Sequence, residues 1–189
     1  MQGAQEVRSD RGAYGVSFIG REKIAVQSRY IYGRAERMPE KEDRRRKMIY
    51  TKATKKALEL CFNAHKEQKD KSGMPYVFHP FHLAEQMTDE DTTVVALLHD
   101  VVEDTEYTLE DLRAMGFNER VISAIALMTH APEVDYMDYV AEIKKNPIAR
   151  AVKLADLRHN SDATRLEVMT EWDIKRAEKY KMAIALLEG

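Results

Sequence analysis

Apolar residues recur at helical spacing along most of the chain from Lys52 onward. The successive stripes are Ala57, Leu58, Cys61 and Phe62; Val121, Ile122, Ile125 and Met128; Tyr136, Met137, Val140 and Ile143; and Ile174, Ala177, Tyr180, Ile184 and Leu187. Such i, i+3, i+4 spacing is typical of amphipathic helices, and no stretch alternates convincingly with period two. The pattern predicts an all-α fold, a single bundle of about seven or eight helices joined by short loops.

Capping residues place several helix boundaries. Thr108, with an acid three residues later, resembles a capping box, and Gly116 is expected to close that helix. Asn118 is expected to cap the next helix, and Pro147 to open a later one. One short helix is expected at residues 79–87, and one continuous helix is expected at residues 92–104.

The first 47 residues lack this periodicity. They mix glycine, serine, arginine and isolated apolar residues, and residues 40–47 form a charge run. A solvated tail or helix face is the favoured interpretation of that run, and a nucleic-acid patch is the alternative. We therefore expect an N-terminal extension over residues 1–47 and a folded helical domain over residues 48–189.

Composition narrows the class of protein. The chain has 189 residues, a formal net charge of -2 and a single cysteine, Cys61. The charge balance gives no global basic field for nucleic acid, and one cysteine excludes an internal disulfide and a cysteine-rich zinc site. The sequence has no membrane-length apolar run and no signal-peptide pattern at its start. A cytoplasmic location is the resulting expectation.

The polar residues of an apolar run are the strongest sign of chemistry. Residues 94–104 read as a buried helix that carries His99, Asp100, Glu103 and Asp104. Unpaired charges are costly to bury, and residues four apart on a helix share a face, so a divalent ion would compensate this polar wall. The alternative is a helix end that runs into solvent, although acids there oppose the helix dipole.

Two further segments carry metal-capable side chains. His79 lies at a turn-to-helix junction, where it is either a ligand or an ordinary surface or cap residue. Asp156 has apolar neighbours, so it needs a partner: a metal ion, or pairing with Lys153 or Asn160. His159 fits either role. A mixed nitrogen and oxygen donor set suits manganese, iron or zinc.

Four stretches in order resemble HD-domain phosphohydrolases of the RelA/SpoT-type alarmone hydrolase group. They are residues 64–68 (AHKEQ), 71–80 (KSGMPYVFHP), 96–105 (ALLHDVVEDT) and 152–160 (VKLADLRHN). The resemblance implies a single HD-domain helical bundle. It also implies removal of the 3′-pyrophosphate from guanosine tetra- and pentaphosphate.

The resemblance assigns roles to individual residues. It implies a divalent metal, usually manganese, on His79, His99, Asp100 and Asp156. It implies that Glu103 and Asp104 activate the attacking water. It implies nucleotide contacts from the loop residues Lys71 and Ser72, and a ribose contact from Asn160.

The chain departs from the family pattern in places. Asp70 stands where many alarmone hydrolases have a basic residue that stacks on guanine, and an acid cannot make that contact. Residues 156–158 read Asp-Leu-Arg rather than the more frequent Asp-Arg-Leu. The short stretch after Asn160 leads us to expect a stand-alone hydrolase without a synthetase domain.

Three functions follow as hypotheses. The first is metal-dependent hydrolysis of guanosine tetraphosphate to GDP and pyrophosphate. The second is an HD phosphohydrolase acting on another nucleotide, and the third is a non-catalytic nucleotide-binding protein of the same fold. Under all three hypotheses we expect the partner to be a small nucleotide, and we expect neither a membrane nor a nucleic acid as partner. Each hypothesis is compatible with a homo-oligomer.

Overall fold

The computed structural model describes residues 48–166 and 170–189. Within these ranges the backbone is helical apart from turns and one isolated bridge between Lys69 and Pro75. The helices are α1 (Lys52–His65), α2 (Phe78–Ala84), α3 (Glu90–Leu98), α4 (Val101–Asp104), α5 (Leu109–Ala114), α6 (Glu119–Met128), α7 (Tyr136–Lys144), α8 (Pro147–Asn160) and α9 (Glu171–Glu188), with a 3₁₀ turn at Ala163–Arg165. The predicted all-α fold is confirmed for the described residues.

The predicted caps form as expected. Thr108 and Asp111 make a reciprocal capping box at the start of α5, and Asn118 accepts a backbone hydrogen bond at the start of α6. Pro147 occupies the first turn of α8. Gly116 follows α5 with a φ of 82°, a left-handed conformation that glycine adopts without steric cost.

Helix α3 forms the centre of the domain. All its residues from Asp91 to Leu98 are buried, and the helix packs against α1, α2, α6 and α8. A helix that is apolar on all sides is stable only when other helices surround it. Leu97 and Leu98 are fully buried, and each contributes about 1.5–3 kcal/mol of hydrophobic stabilisation. The C-terminal end of α3 is therefore a fixed point in the core.

The prediction of one helix over residues 92–104 is wrong. Helix α3 ends at Leu98, and α4 begins at Val101. His99 turns its ring back and its Nδ1 donates to the carbonyl oxygen of Ala96 at 2.9 Å, while Asp100 has a ψ of -5° instead of about -42°. His99 and Asp100 therefore form a junction between helices. The described residues form nine α-helices when the four-residue α4 is counted and eight longer ones when it is not.

The predicted short helix and the expected absence of a membrane span can be compared with the described residues, whereas the N-terminal extension cannot. The short helix predicted at residues 79–87 extends from Phe78 to Ala84. The proposed N-terminal extension, residues 1–47, lies outside the described residues. No helix in the described ranges combines the length and apolar character needed to cross a bilayer.

Candidate metal centre and nucleotide site

The four predicted metal ligands lie on three helix ends around the core. His79 is in the first turn of α2, His99 and Asp100 form the junction after α3, and Asp156 is in the penultimate turn of α8. Because α2 and α8 both pack against α3, three chain segments far apart in sequence present these side chains to one place. His79, His99 and Asp156 are buried.

Three of these residues meet closely enough to share an ion. One ligand atom from each of His79, His99 and Asp100 lies within 4.8 Å of the others. The Nε2 atoms of His79 and His99 are 3.9 and 2.9 Å from Asp100 Oδ2. Donor atoms that bind one ion at about 2.0–2.2 Å lie up to about 4.4 Å apart, so this spacing suits a single metal.

The donor chemistry also fits a divalent ion. His99 Nδ1 donates to a carbonyl oxygen, which leaves Nε2 as the atom that faces Asp100. That Nε2 is buried and, despite its short distance to Asp100, has no partner with hydrogen-bond geometry. Burial alone would lower the pKa of His99, but the charges of Asp100 and Asp156 outweigh it and raise that pKa to about 9. The site therefore attracts positive charge at Nε2.

Asp156 joins the cluster through His79 and not through the other two ligands. Its Oδ1 lies 3.2 Å from His79 Nε2, but Asp156 is not part of the three-residue set within 4.8 Å. Lys153 Nζ donates to its Oδ2 at 2.9 Å, and Asn160 Nδ2 donates to its Oδ1 at 2.6 Å. Lys153 and Asn160, the two partners of Asp156 that helical spacing predicted, therefore both contact it. Burial disfavours the carboxylate, yet the charge of Lys153 together with His79 and His99 outweighs burial and holds the pKa of Asp156 far below its usual range.

Tyr76, which the sequence analysis did not single out, and His159, whose role it left open, both contact candidate metal ligands. The Tyr76 hydroxyl donates to Asp100 Oδ2, and the ring packs edge-on against His65. His79 and His159 approach through their Nδ1 atoms at 2.7 Å. Burial lowers the pKa of His159 to about 4, so His159 is neutral and its Nδ1 can accept a hydrogen bond from Nδ1 of a neutral His79. That arrangement leaves His79 Nε2 free for a metal. Tyr76 is half-buried in the structure, and the available signal for it in the sequence was its place three residues before His79 in the turn.

The predicted acid pair lies beside this cluster on α4. Glu103 and Asp104 are both exposed, and Glu103 Oε2 accepts a long hydrogen bond from the His130 backbone N–H at 3.4 Å. Partial desolvation of the carboxyl groups, aided by the charge of Asp100, raises the pKa of each. A raised pKa makes a carboxylate a better proton acceptor at neutral pH.

A cavity of about 320 Å³ opens next to the candidate metal ligands. His79 and Tyr76 form its inner wall, and the predicted nucleotide residues Lys71, Ser72 and Asn160 all line it. Its remaining lining residues include the cations Lys69, Arg165 and Arg176. The cavity therefore combines a metal-ligand cluster with a cationic wall suited to phosphate groups.

Asp70 builds the wall of this cavity. Its Oδ1 accepts from the backbone N–H groups of Ser72 and Met74 at 2.9 and 3.0 Å, and from the Ser72 hydroxyl at 2.7 Å. Its Oδ2 pairs with Arg165 at 2.9 Å, which ties the loop to the 3₁₀ turn after α8. Partial burial opposes the charge, but these donors lower the pKa of Asp70 overall.

The family is decided by comparison with known proteins. Residues 57–159, more than half of the chain, match the HD domain family HD_4. The chain belongs to the HD-domain family. The matched range ends at His159 and spans all four candidate metal ligands of this HD-domain protein.

Several named relatives are similar to this HD-domain protein. Guanosine-3′,5′-bis(diphosphate) 3′-pyrophosphohydrolase MESH1 of Mus musculus is 31% identical over 137 residues, which cover 66% of this chain and 76% of MESH1. The enzyme of that activity from Aquifex aeolicus is 32% identical over 145 residues, 70% of this chain. The HD-domain protein spans about 20% of the length of that relative.

A solved structure supports the same fold. The structure described as a metazoan ortholog of SpoT that hydrolyzes ppGpp matches with a TM-score of 0.57 at 25% identity. The match covers 74% of this chain and 85% of that one. The predicted HD-type helical bundle is therefore confirmed.

Proposed function

We propose that this HD-domain protein is a divalent-metal-dependent 3′-pyrophosphohydrolase of guanosine tetra- and pentaphosphate, with residues 48–189 as the hydrolase domain. The convergence of His79, His99 and Asp100 beside a cationic cavity carries the proposal. The similarity to MESH1 over most of that enzyme's length supports the substrate. Asp156 is proposed as the fourth ligand and Mn²⁺ as the metal.

A divalent ion held by these residues would polarise a phosphoryl oxygen and lower the pKa of water. The protein's own groups carry the remaining steps. Glu103 and Asp104 orient the attacking water and accept its proton, which their raised pKa values favour. The water oxygen bonds to the phosphorus attached to the ribose 3′ oxygen. The bond from that phosphorus to the 3′ oxygen breaks, and the 3′ oxygen leaves as a hydroxyl after it takes the proton that Glu103 or Asp104 accepted from the water.

The cavity wall positions the rest of the nucleotide. Lys71 and Ser72 are proposed to contact the nucleotide, and Asn160 to lie near the ribose. Asn160 also donates to Asp156 at 2.6 Å, so one amide links the proposed ribose contact to the proposed metal centre. Preorganised donors of this kind lower the cost of ordering the substrate.

The test is pyrophosphate release from guanosine tetraphosphate by the full chain. We expect release with Mn²⁺ and none after chelation. The variant His99→Ala/Asp100→Ala should lose at least about 10³-fold in rate and should bind far less than one equivalent of Mn²⁺ by elemental analysis. The matched control is Asp138→Ala, an exposed carboxylate on α7, which should keep both properties. Full activity in His99→Ala/Asp100→Ala would refute the proposal.

One observation favours a second candidate, an HD phosphohydrolase of another nucleotide. Asp70 stands where a base-stacking cation is common in the family, and its charge is already paired with Arg165. A panel of 3′- and 5′-phosphorylated guanine, adenine and pyrimidine nucleotides assayed with Mn²⁺ separates the two. Preference for a non-guanine base by more than about tenfold in kcat/KM would favour the second candidate.

A further inference from the structure

A second, strongly basic cavity adjoins the proposed nucleotide cavity. It has a volume of about 300 Å³ and is lined by Lys71, Trp172, Lys175, Arg176, Lys179 and Tyr180, which we call the basic ledge. Four of these six side chains are cationic and none is acidic. Lys71, Arg176 and Tyr180 line both cavities, so the basic ledge continues directly from the proposed active site.

Aromatic rings contact three of the four cations of the basic ledge. Lys71 Nζ lies 3.7 Å from the centre of the Trp172 ring, and the Arg176 guanidinium lies 4.7 Å from it. Lys179 Nζ lies 4.1 Å from the Tyr136 ring. A cation–π contact orients a cation without cancelling its charge, as a carboxylate would. The ledge therefore keeps a positive field that an anion can use.

Little acidic charge opposes this field. Asp173 Oδ1 is 3.9 Å from Arg176, but Oδ2 of the same carboxylate caps α9 by accepting from the backbone and hydroxyl of Thr170. Lys175 and Lys179 are exposed and lie one turn apart on the same face of α9. Burial, followed by the charge of Arg176, lowers the pKa of Lys71, as expected where cations crowd together.

The ledge suits phosphate groups better than a base. Lys71 and Arg176 already occupy positions over the Trp172 ring, so they compete with a base for its faces. The cations, in contrast, remain available to a chain of phosphates. A substrate phosphorylated at both ends would need one anion site at the metal cluster and a second further along the cavity.

We propose that the basic ledge binds the 5′-polyphosphate of a nucleotide whose 3′-pyrophosphate lies at the His79–His99–Asp100 cluster. This inference rests on the proposed function and adds a specificity site to it. Lys175, Lys179 and Trp172 are its distinguishing residues. The ledge makes the enzyme prefer nucleotides that carry phosphates on the 5′ carbon.

A binding experiment tests the ledge without turnover. Trp172 is the only tryptophan in the chain, so its fluorescence reports directly on this surface. Inorganic tripolyphosphate added to chelator-treated protein should change the fluorescence saturably, and added KCl should weaken the binding. Lys175→Ala/Lys179→Ala should weaken binding about tenfold, whereas Lys181→Ala, an exposed lysine of the same helix outside the ledge, should bind as the wild type does.

Kinetics test the preference itself. Lys175→Ala/Lys179→Ala should raise the KM for guanosine tetraphosphate about tenfold and the KM for guanosine 3′-diphosphate, which lacks 5′ phosphates, by less than twofold. Equal changes in both KM values, or no saturable fluorescence change, would overturn the inference. If the wild type hydrolyses neither compound, the proposed function fails. In that case the fluorescence titration is repeated with guanosine and with guanosine 5′-triphosphate in place of tripolyphosphate. Equal affinity for guanosine and guanosine 5′-triphosphate would overturn the inference about the basic ledge.

Discussion

Replacing Lys153 by methionine removes the charge that neutralises Asp156 while keeping most of the side-chain volume. The two side chains are 14% and 8% exposed, and Lys153 Nζ lies 2.9 Å from Asp156 Oδ2. Loss of Lys153 leaves the charge of Asp156 buried, with His79 and Asn160 as the side chains still in contact with its carboxylate. We therefore expect Lys153→Met to destabilise the metal-free protein strongly.

The expected magnitude follows from burial. Breaking a buried ion pair by removing one partner costs about 3–5 kcal/mol. For a domain of this size each kcal/mol lowers Tm by about 3 °C, so the metal-free variant should melt about 10 °C below the wild type. Lys145 provides a matched control because it pairs with Glu142 at 2.6 Å and the same i, i+3 spacing, with exposures of 69% and 60%. Lys145→Met should shift Tm by less than about 3 °C.

The assay is thermal unfolding of chelator-treated protein followed by circular dichroism. The pKa of Asp156 is depressed in the folded state, so its contribution is present above its unfolded pKa and is lost as pH falls. The gap between wild type and Lys153→Met should therefore narrow below about pH 4. Saturating Mn²⁺ should also narrow it, because an ion near Asp156 replaces the lost charge. Equal Tm values for Lys153→Met and Lys145→Met at neutral pH would refute the reasoning.

Two further predictions concern the core and the cavity wall. Burial, followed by the charge of Asp100, raises the pKa of Cys61 from 9.0 to about 12. The Cys61 thiol should therefore resist alkylation by iodoacetamide at pH 8.5 in the native protein, and it should react after the protein is unfolded in urea. Because this pKa is raised by folding, its contribution to stability is complete below pH 9.0 and is lost as pH rises towards 12, which alkaline unfolding curves can measure. Asp70→Ala removes the carboxylate that accepts from Arg165 and from the backbone N–H groups of Ser72 and Met74. The free energy of unfolding measured in urea should therefore fall by about 2 kcal/mol. A fall of less than about 0.5 kcal/mol would contradict the proposed role of Asp70 in the loop.

The helix caps that form at the predicted residues show which features local sequence rules can predict. Thr108, Asn118, Gly116 and Pro147 act at the predicted boundaries because their effects depend on neighbours within one helical turn. The continuous helix over residues 92–104 was wrong because its apolar pattern does not report the turn at His99 and Asp100. That turn depends on a side-chain bond to Ala96 and on the contact from Tyr76, which comes from a distant loop.

Contacts within one helix of the candidate site were predictable from the sequence, whereas contacts between helices were not. Lys153 and Asn160 lie three and four residues from Asp156, so helical spacing alone named both as its partners. The contact of His159 with His79 joins α8 to α2, and no spacing rule connects residues 80 positions apart.

The sequence by itself determined the helical class, the helix boundaries at Thr108, Gly116, Asn118 and Pro147, and the residue types able to hold a metal, since helical period and capping are local properties of the chain. Only the tertiary structure decided which of those residues meet. It brought His79 beside His99 and Asp100, and it put the cations of α9 next to Lys71. The physical reason is that burial of α3 fixes how the surrounding helices pack, and that packing sets every long-range distance in the site.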